Sequence, residues 1–362
     1  MSLTPSGGRR RRSRRLVLAL ALAPLMAGCS PLYVIRAGIA EARILAARRP
    51  IPEVILDPAT DERTRGKLVL ALEARAWAAD SLGLDVGDSY TSFTQLHTDT
   101  LAMVLSAAYR DRLASKTWWF PVVGRVPYRG YFDLDDALAA QRALESDGLD
   151  TYLRPTAAFS TLGWFADPLL STLLRQDEVE LVETILHELS HNHLWVPGHV
   201  TFNESYATFV GRAGAVDFFC RRPGGGPDTV KCERARARWR DYQRFSRFMD
   251  GLVSELRELY GRADLGPQAT LAGRQAIFDV ALDRFRQGVQ PEFEDVAFSG
   301  FLTVPLNNAT LLARMRYYHR LGDFQALLDT HGGSVARAVA ALEAGLDDVE
   351  DPFDLLPRSG TR

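Results

Sequence analysis

The sequence predicts an α+β domain, mainly α, with a small mixed β-sheet and a helical C-terminal part. Three observations carry that prediction. Apolar residues recur at helical spacing in residues 61–82, 134–146 and 177–194, and almost continuously from 233 to 347. Two stretches read instead as strands: residues 118–126, interrupted by Pro121 and Gly124, and residues 152–161, rich in Thr, Tyr and Phe. Composition is globular, with 362 residues, 46% hydrophobic and 24% charged, enough for a sizeable core. A formal net charge of -2 provides no field for nucleic acid, so no such partner is expected.

The first element is a leader. Arg9 to Arg12, with Arg14 and Arg15, precede an apolar run over 16–26 and then Ala27-Gly28-Cys29. That is an export signal over 1–28, and its apolar run is too short to span a bilayer, which takes about 20 residues. Small residues directly before Cys29 resemble a lipobox, although Met26 stands where Leu is more usual. Cys29 is therefore the expected lipid-bearing mature N-terminus, with a plain secretory signal as the alternative. Ser13-Arg14-Arg15-Leu16-Val17-Leu18 also resembles a twin-arginine signal, and the export route stays open. Ser30 in place of Asp favours the outer membrane. The expectation is a protein held by lipid in the cell envelope, facing the periplasm.

Residues 29–362 read as one domain: a helical part (32–115), a sheet and site core (116–220) and a second helical part (233–347). Asp57-Pro58 signals the start of the 61–82 helix, whose Leu68, Leu72, Ala76 and Ala79 share one stripe. The 134–146 helix ends near Gly148. Polar breaks near 262–268, 287–293, 303–307 and 332 divide the C-terminal helices. Cys220 and Cys232 flank Pro223-Gly224-Gly225-Gly226-Pro227. In an oxidising compartment they are expected to close that loop as a disulfide, two free thiols being the alternative.

The chemistry centres on His187-Glu188-Leu189-Ser190-His191. Val179, Val182, Ile185, Leu186 and Leu189 give its helix one buried face, and Asp177, Glu178 and Glu180 suit the N-terminal dipole. One turn apart, His187 and His191 point the same way and can share one Zn2+ ion, with Glu188 beside them as general base. A third ligand is needed. His193 points to another side of the helix, and His199 could return only through a loop after Pro197-Gly198. Glu204 opens the next helix and is the expected ligand, completing a two-His-one-Glu set. Ala207, Gly211, Gly214 and Ala215 are small and allow close helix approach. Thr208 or Glu183 could orient a histidine, Glu183 reading more readily as a solvated surface acid. Tyr206, Tyr317, Tyr318 and His319 are candidate oxyanion donors. Residues 155–163 could add a peptide substrate as a strand, or be an ordinary buried strand.

Several stretches resemble the predicted-aminopeptidase family of proteobacterial lipoproteins, whose active site is of the zincin type and gluzincin-like. They are Arg48-Arg49-Pro50-Ile51 with Asp57-Pro58-Ala59-Thr60-Asp61, Tyr128-Arg129-Gly130-Tyr131-Phe132, and Ser160-Thr161-Leu162-Gly163-Trp164-Phe165 with Asp167-Pro168. The histidine motif, Thr201-Phe202-Asn203-Glu204-Ser205 and Pro305-Leu306-Asn307-Asn308-Ala309 complete the set. The resemblance implies a zincin-like catalytic domain, His187, His191 and Glu204 as ligands, and Glu188 as base. That family often carries a cysteine pair around the segment 119–125, which this chain lacks. An aminopeptidase needs an acid for the substrate's α-amine, and Asp167 is the candidate, a turn residue before Pro168 being its alternative role. The expected activity is zinc-dependent peptide hydrolysis. An endopeptidase of envelope proteins, or a non-catalytic lipoprotein binding a peptide or partner, would be the alternatives.

Overall fold

The computed structural model describes residues 42–96, 102–120, 124–156 and 166–358. The leader, Cys29, residues 157–163 of the suggested substrate strand and residues 160–165 of the family-like stretch lie outside them. In chain order the elements are β1 (Arg49–Pro50), α1 (Ile51–Leu56), α2 (Glu62–Asp80), β2 (Ser92–Thr94) and β3 (Ala102–Ala108). Next come β4 (Trp118–Phe120), β5 (Gly124–Val126), β6 (Arg129–Tyr131), α3 (Leu134–Ser146), β7 (Asp150–Thr156) and β8 (Leu169–Leu170). Then follow α4 (Glu178–His193), α5 (Val200–Arg221), α6 (Val230–Tyr260), α7 (Pro267–Arg284) and α8 (Gly300–Thr303). The last are α9 (Asn308–Tyr318), α10 (Leu321–Thr330) and α11 (Val335–Gly345). The class is α+β and mainly α, as the sequence predicts.

The strands differ from expectation. Residues 118–126 form an antiparallel hairpin, β4–β5, in which Trp118 faces Val126 and Phe120 faces Gly124. Gly124 takes a φ of 71°, which glycine adopts without a Cβ penalty. Sequence reading also missed β1, β2, β3, β6 and β8. Of these, β1, β2 and β3 lie within the expected helical part 32–115, and the longest is β3. It is the centre of a three-stranded antiparallel sheet ordered β6-β3-β7. Small residues at Ala102, Ser106, Ala107 and Ala108, and cover on both faces, erase the alternation that marks a half-buried strand. Leu105 and Ala107 pack with Ala137 and Leu144 of α3. Val104 and Ser106, with Arg154 and Tyr152 directly opposite, share the other face. A separate mixed sheet joins β1, β2 and β8, antiparallel at β1–β2 and parallel at β2–β8.

The main core lies between α2, α4, α5, α10 and α11, with Leu68, Val182, Ile185, Phe209 and Phe324 all fully buried. A second, phenylalanine-rich core under α6 and α7 holds Phe245, Phe278, Phe285 and Phe301. At the α4–α5 contact, a Cβ on Gly211 would lie 2.6 Å from the Glu183 carbonyl oxygen and 3.1 Å from His187 Cβ. Only glycine lets the two backbones meet this closely. Cys220 and Cys232 are joined, Cα atoms 4.8 Å apart, tying the end of α5 to the start of α6.

Candidate metal centre

The two helices that meet at Gly211 also build the site. α4 starts at Asp177, whose carboxylate accepts from the backbone N–H groups of Val179 and Glu180 at 2.9 and 3.0 Å. Its buried face, Val179, Val182, Ile185, Leu186 and Leu189, anchors it in the core. That leaves His187 and Glu188 half-buried at the cleft, with His191 buried beside them. α4 ends at Leu194, and the chain turns through Gly198, with φ 85°, into α5. Asn203 sets the turn: its Oδ1 accepts from Val196 N–H at 2.9 Å and its Nδ2 donates to Val196 O at 2.8 Å. Asn203 is fully buried, so both bonds hold the first turn of α5 against the end of α4.

Glu204 is the next residue. Its Oε2 lies 3.3 Å from His187 Nε2 and 3.5 Å from His191 Nε2. One ligand atom from each of the three lies within 4.8 Å of the others, an arrangement that could hold a metal ion. Burial opposes the charged form of Glu204. The hydrogen bonds and charge of the two histidines outweigh it, and its carboxyl is held well below the usual carboxylate range. Glu188 behaves oppositely. Burial pushes its carboxyl up to about 7, the charges of Glu204 and Asp167 adding to the shift and His187 opposing it. No ion pair or hydrogen bond to the Glu188 side chain occurs among the described residues.

The other candidates sort cleanly. His193 accepts from Asp85 N–H at 3.1 Å, away from the trio, and His199 caps α5 through its backbone. No hydrogen bond joins Thr208 to either histidine among the described residues. Glu183 corrects the surface reading: it is 1% exposed. Arg238 donates to both its oxygens at 3.0 Å, and Arg212 also pairs with it. Of the tyrosines, Tyr317 stands at the site, its ring stacked on His187 with centroids 6.1 Å apart. Its hydroxyl accepts from Arg154 Nη2 at 3.3 Å. Tyr206 is fully buried in the main core, Tyr318 packs on Tyr242 and Phe245, and His319 pairs with Asp250 at 2.5 Å.

Asp167 is buried, and its charge acts on Glu188. Its backbone carbonyl accepts from Tyr90 N–H at 2.7 Å. Sequence reading missed Tyr90, which is 2% exposed with a φ of 58°. A bulky residue in the left-handed region costs on the order of 1–3 kcal/mol and marks a backbone held by its surroundings. Burial raises the Tyr90 phenol, and the charges of Glu188 and Asp167 add to that. Sequence reading also missed Asn203 as a positioning residue, and Arg154 and Arg316. His191 Nδ1 is buried without a partner among the described residues, where a metal-binding histidine ordinarily donates to an acceptor.

A family profile described as "Putative aminopeptidase" matches residues 32–351. Comparison with curated proteins and with solved structures gives no match.

Proposed function

The chain belongs to that aminopeptidase family, and from this premise we propose that it is a zinc-dependent aminopeptidase of the bacterial cell envelope. One observation carries the reading: two histidines and a carboxylate converge beside a second carboxylate, Glu188, that has no ion-pair partner among the described residues. Two of the three spacings suit the ion, the whole trio lying within 4.8 Å. Ligands about 2.0–2.2 Å from a tetrahedral zinc are about 3.3–3.6 Å from one another. Glu204 stands 3.3 and 3.5 Å from the two imidazole nitrogens. His187, His191 and Glu204 would hold the ion, and a structural site would need no base.

When bound, zinc supplies a Lewis acid that brings the pKa of water toward neutrality and polarises a carbonyl. Glu188 takes the proton from the attacking water and returns it to the leaving amine. Tyr317 is the second donor to the developing oxyanion. With Arg154 donating to its oxygen, its own hydrogen is left for the substrate. Asp167 receives the substrate's α-amine, which makes the enzyme an aminopeptidase rather than an endopeptidase. The lipid on Cys29 would hold it at the outer membrane.

The test is metal analysis with peptide hydrolysis. Purified protein should carry one zinc per chain and release N-terminal residues from peptides. A chelator should abolish this and zinc restore it. A stoichiometric zinc protein that cleaves nothing across a broad peptide library would sink the reading. Mass spectrometry of the mature N-terminus checks the anchor, an unmodified Cys29 removing it.

A further inference from the structure

Several interior arginines are met by acids. Arg212 and Arg238 meet Glu183, and Arg274 meets Asp150 at 2.6 Å. Two arginines beside the metal centre are not. Arg154 on β7 and Arg316 on α9 reach the site from the sheet face that carries Val104 and Ser106. Arg316 Nη2 donates to Ser106 Oγ at 2.8 Å, and Arg154 Nη2 donates to Tyr317. Ser205, next to Glu204, donates to the Arg316 carbonyl at 2.9 Å, so α9 is docked at the ligand itself. The charge of Glu204 acts on both guanidinium groups. Yet neither has a carboxylate within ion-pair distance among the described residues. Arg316 is 6% exposed, and its Nε has no acceptor. Burying a positive charge without a partner is costly, and two in one place leave a field that an anionic group fits.

We propose that Arg154 and Arg316 form a carboxylate-binding subsite of this centre, so that its substrates are peptides presenting a carboxylate there. The proposal rests on the peptidase reading and names its substrate class. Arg154 is the receptor, because it is half-buried and its planar fork can grip a carboxylate with two bonds. Arg316, buried behind it, adds charge. Asp167 acts on Glu188 and the arginines act on Glu204, so an acid and a basic pair address different members of one site. That arrangement suits a short peptide with its amine at one end and its carboxylate at the other. An acidic side chain offers the same chemistry from within a longer peptide.

The experiment uses the zinc-loaded full chain carrying Glu188→Gln, so that ligands bind without turnover. Calorimetry compares trialanine, trialanine amide and an amidated tripeptide containing one Asp. At least one carboxylate-bearing peptide should bind about tenfold or more tightly than trialanine amide. Preference for trialanine names the C-terminal carboxylate, and preference for the Asp peptide names an acidic side chain. Adding Arg154→Met should erase the preference, and Arg154→Lys should restore part of it. Equal binding of all three peptides overturns the proposal. So does an Arg154→Met variant that weakens every ligand equally, because that is the signature of a role confined to orienting Tyr317. Turnover by the wild type separates the two readings. Hydrolysis without carboxylate preference defeats the subsite alone, whereas carboxylate preference without hydrolysis defeats the peptidase alone.

Discussion

Glu183 and Glu188 stand little more than one turn apart on the same helix, and their surroundings are opposite. Glu183 is sealed in the core and neutralised by Arg238 and Arg212. Glu188 is half-buried at the cleft and neutralised by no cation among the described residues. Its carboxyl is pushed up by burial, whereas a well-paired buried acid is kept charged by its arginines. The first arrangement fixes the angle between α4, α5 and α6, since Arg212 comes from α5 and Arg238 from α6. The second leaves a group able to exchange a proton. One helix thus spends one end on holding the fold and the other on chemistry.

The comparison breaks most easily at Glu188. Glu188→Gln should lower peptide hydrolysis by about 10²–10⁴-fold, since the amide cannot accept the water's proton. Zinc content and the urea midpoint should stay as in wild type, because Glu188 belongs neither to the metal trio nor to any ion pair among the described residues. Retention of most of the activity would remove Glu188 from its role. At Glu183 the readouts should invert. Glu183→Ala leaves the buried Arg212 without its acid, although Arg238 keeps Asp295 at 3.0 Å, and should cost about 3–5 kcal/mol in urea unfolding. A loss below about 1 kcal/mol would show that the pair is not what locks the helices.

Asn203 sharpens the comparison from between the two ends. Asn203→Ala removes both bonds to Val196, leaving the half-buried Val196 N–H without that acceptor while the Val196 carbonyl keeps the His199 N–H at 3.2 Å. The expected cost is about 1–3 kcal/mol, with weaker zinc binding in competition against a chelating dye, because Glu204 sits on the turn that moves. Unchanged zinc affinity in a destabilised variant would mean that Glu204 is placed by Ser205 and α9 instead.

Much of this was legible in sequence because it rests on spacing. Helical period and an acidic first turn located α4, and the motif put His187 and His191 one turn apart. The small residues Gly211 and Gly214 foretold the close approach that lets Glu204 reach them. The breaks near 262–268, 303–307 and 332 fell between helices, whereas the stretch 287–293 continues α7 as π and 3-10 turns up to Glu292. What stayed hidden depends on partners far along the chain. Glu183 lies on the buried stripe one turn before His187, but its acidity argued for solvent until Arg212 and Arg238 were in view. Nothing local distinguishes Arg154 or Arg316 from a surface arginine. β3 was missed because a strand covered on both faces shows no alternation, and Tyr90 because a left-handed backbone leaves no trace in residue type.

The smallest effect is expected where the same chemistry meets water. Glu294 pairs with Arg240 and Arg244, and Arg244 Nη1 lies 2.6 Å from Glu294 Oε1. Hydrogen bonds from these arginines hold its carboxyl down at about 2, against an ordinary 4.5. A depressed folded pKa means stabilisation that is complete above about pH 4.5 and lost as the pH falls toward 2. Its side chain is 35% exposed, however, so solvent screens the pair. Glu294→Gln should therefore cost no more than about 1 kcal/mol at neutral pH and low salt. The gap between variant and wild type should close both in 1 M salt, where the Debye length is about 3 Å, and as the pH falls to about 2. Urea unfolding across pH and salt measures all of this. If Glu294→Gln costs as much as Glu183→Ala, pairing alone sets the strength and burial does not. The contrast drawn along α4 would then need another cause. If the loss is small and salt-sensitive, the desolvation of Glu183 is what makes its pairing indispensable, and the exposure of Glu188 to the cleft is what leaves it free to react.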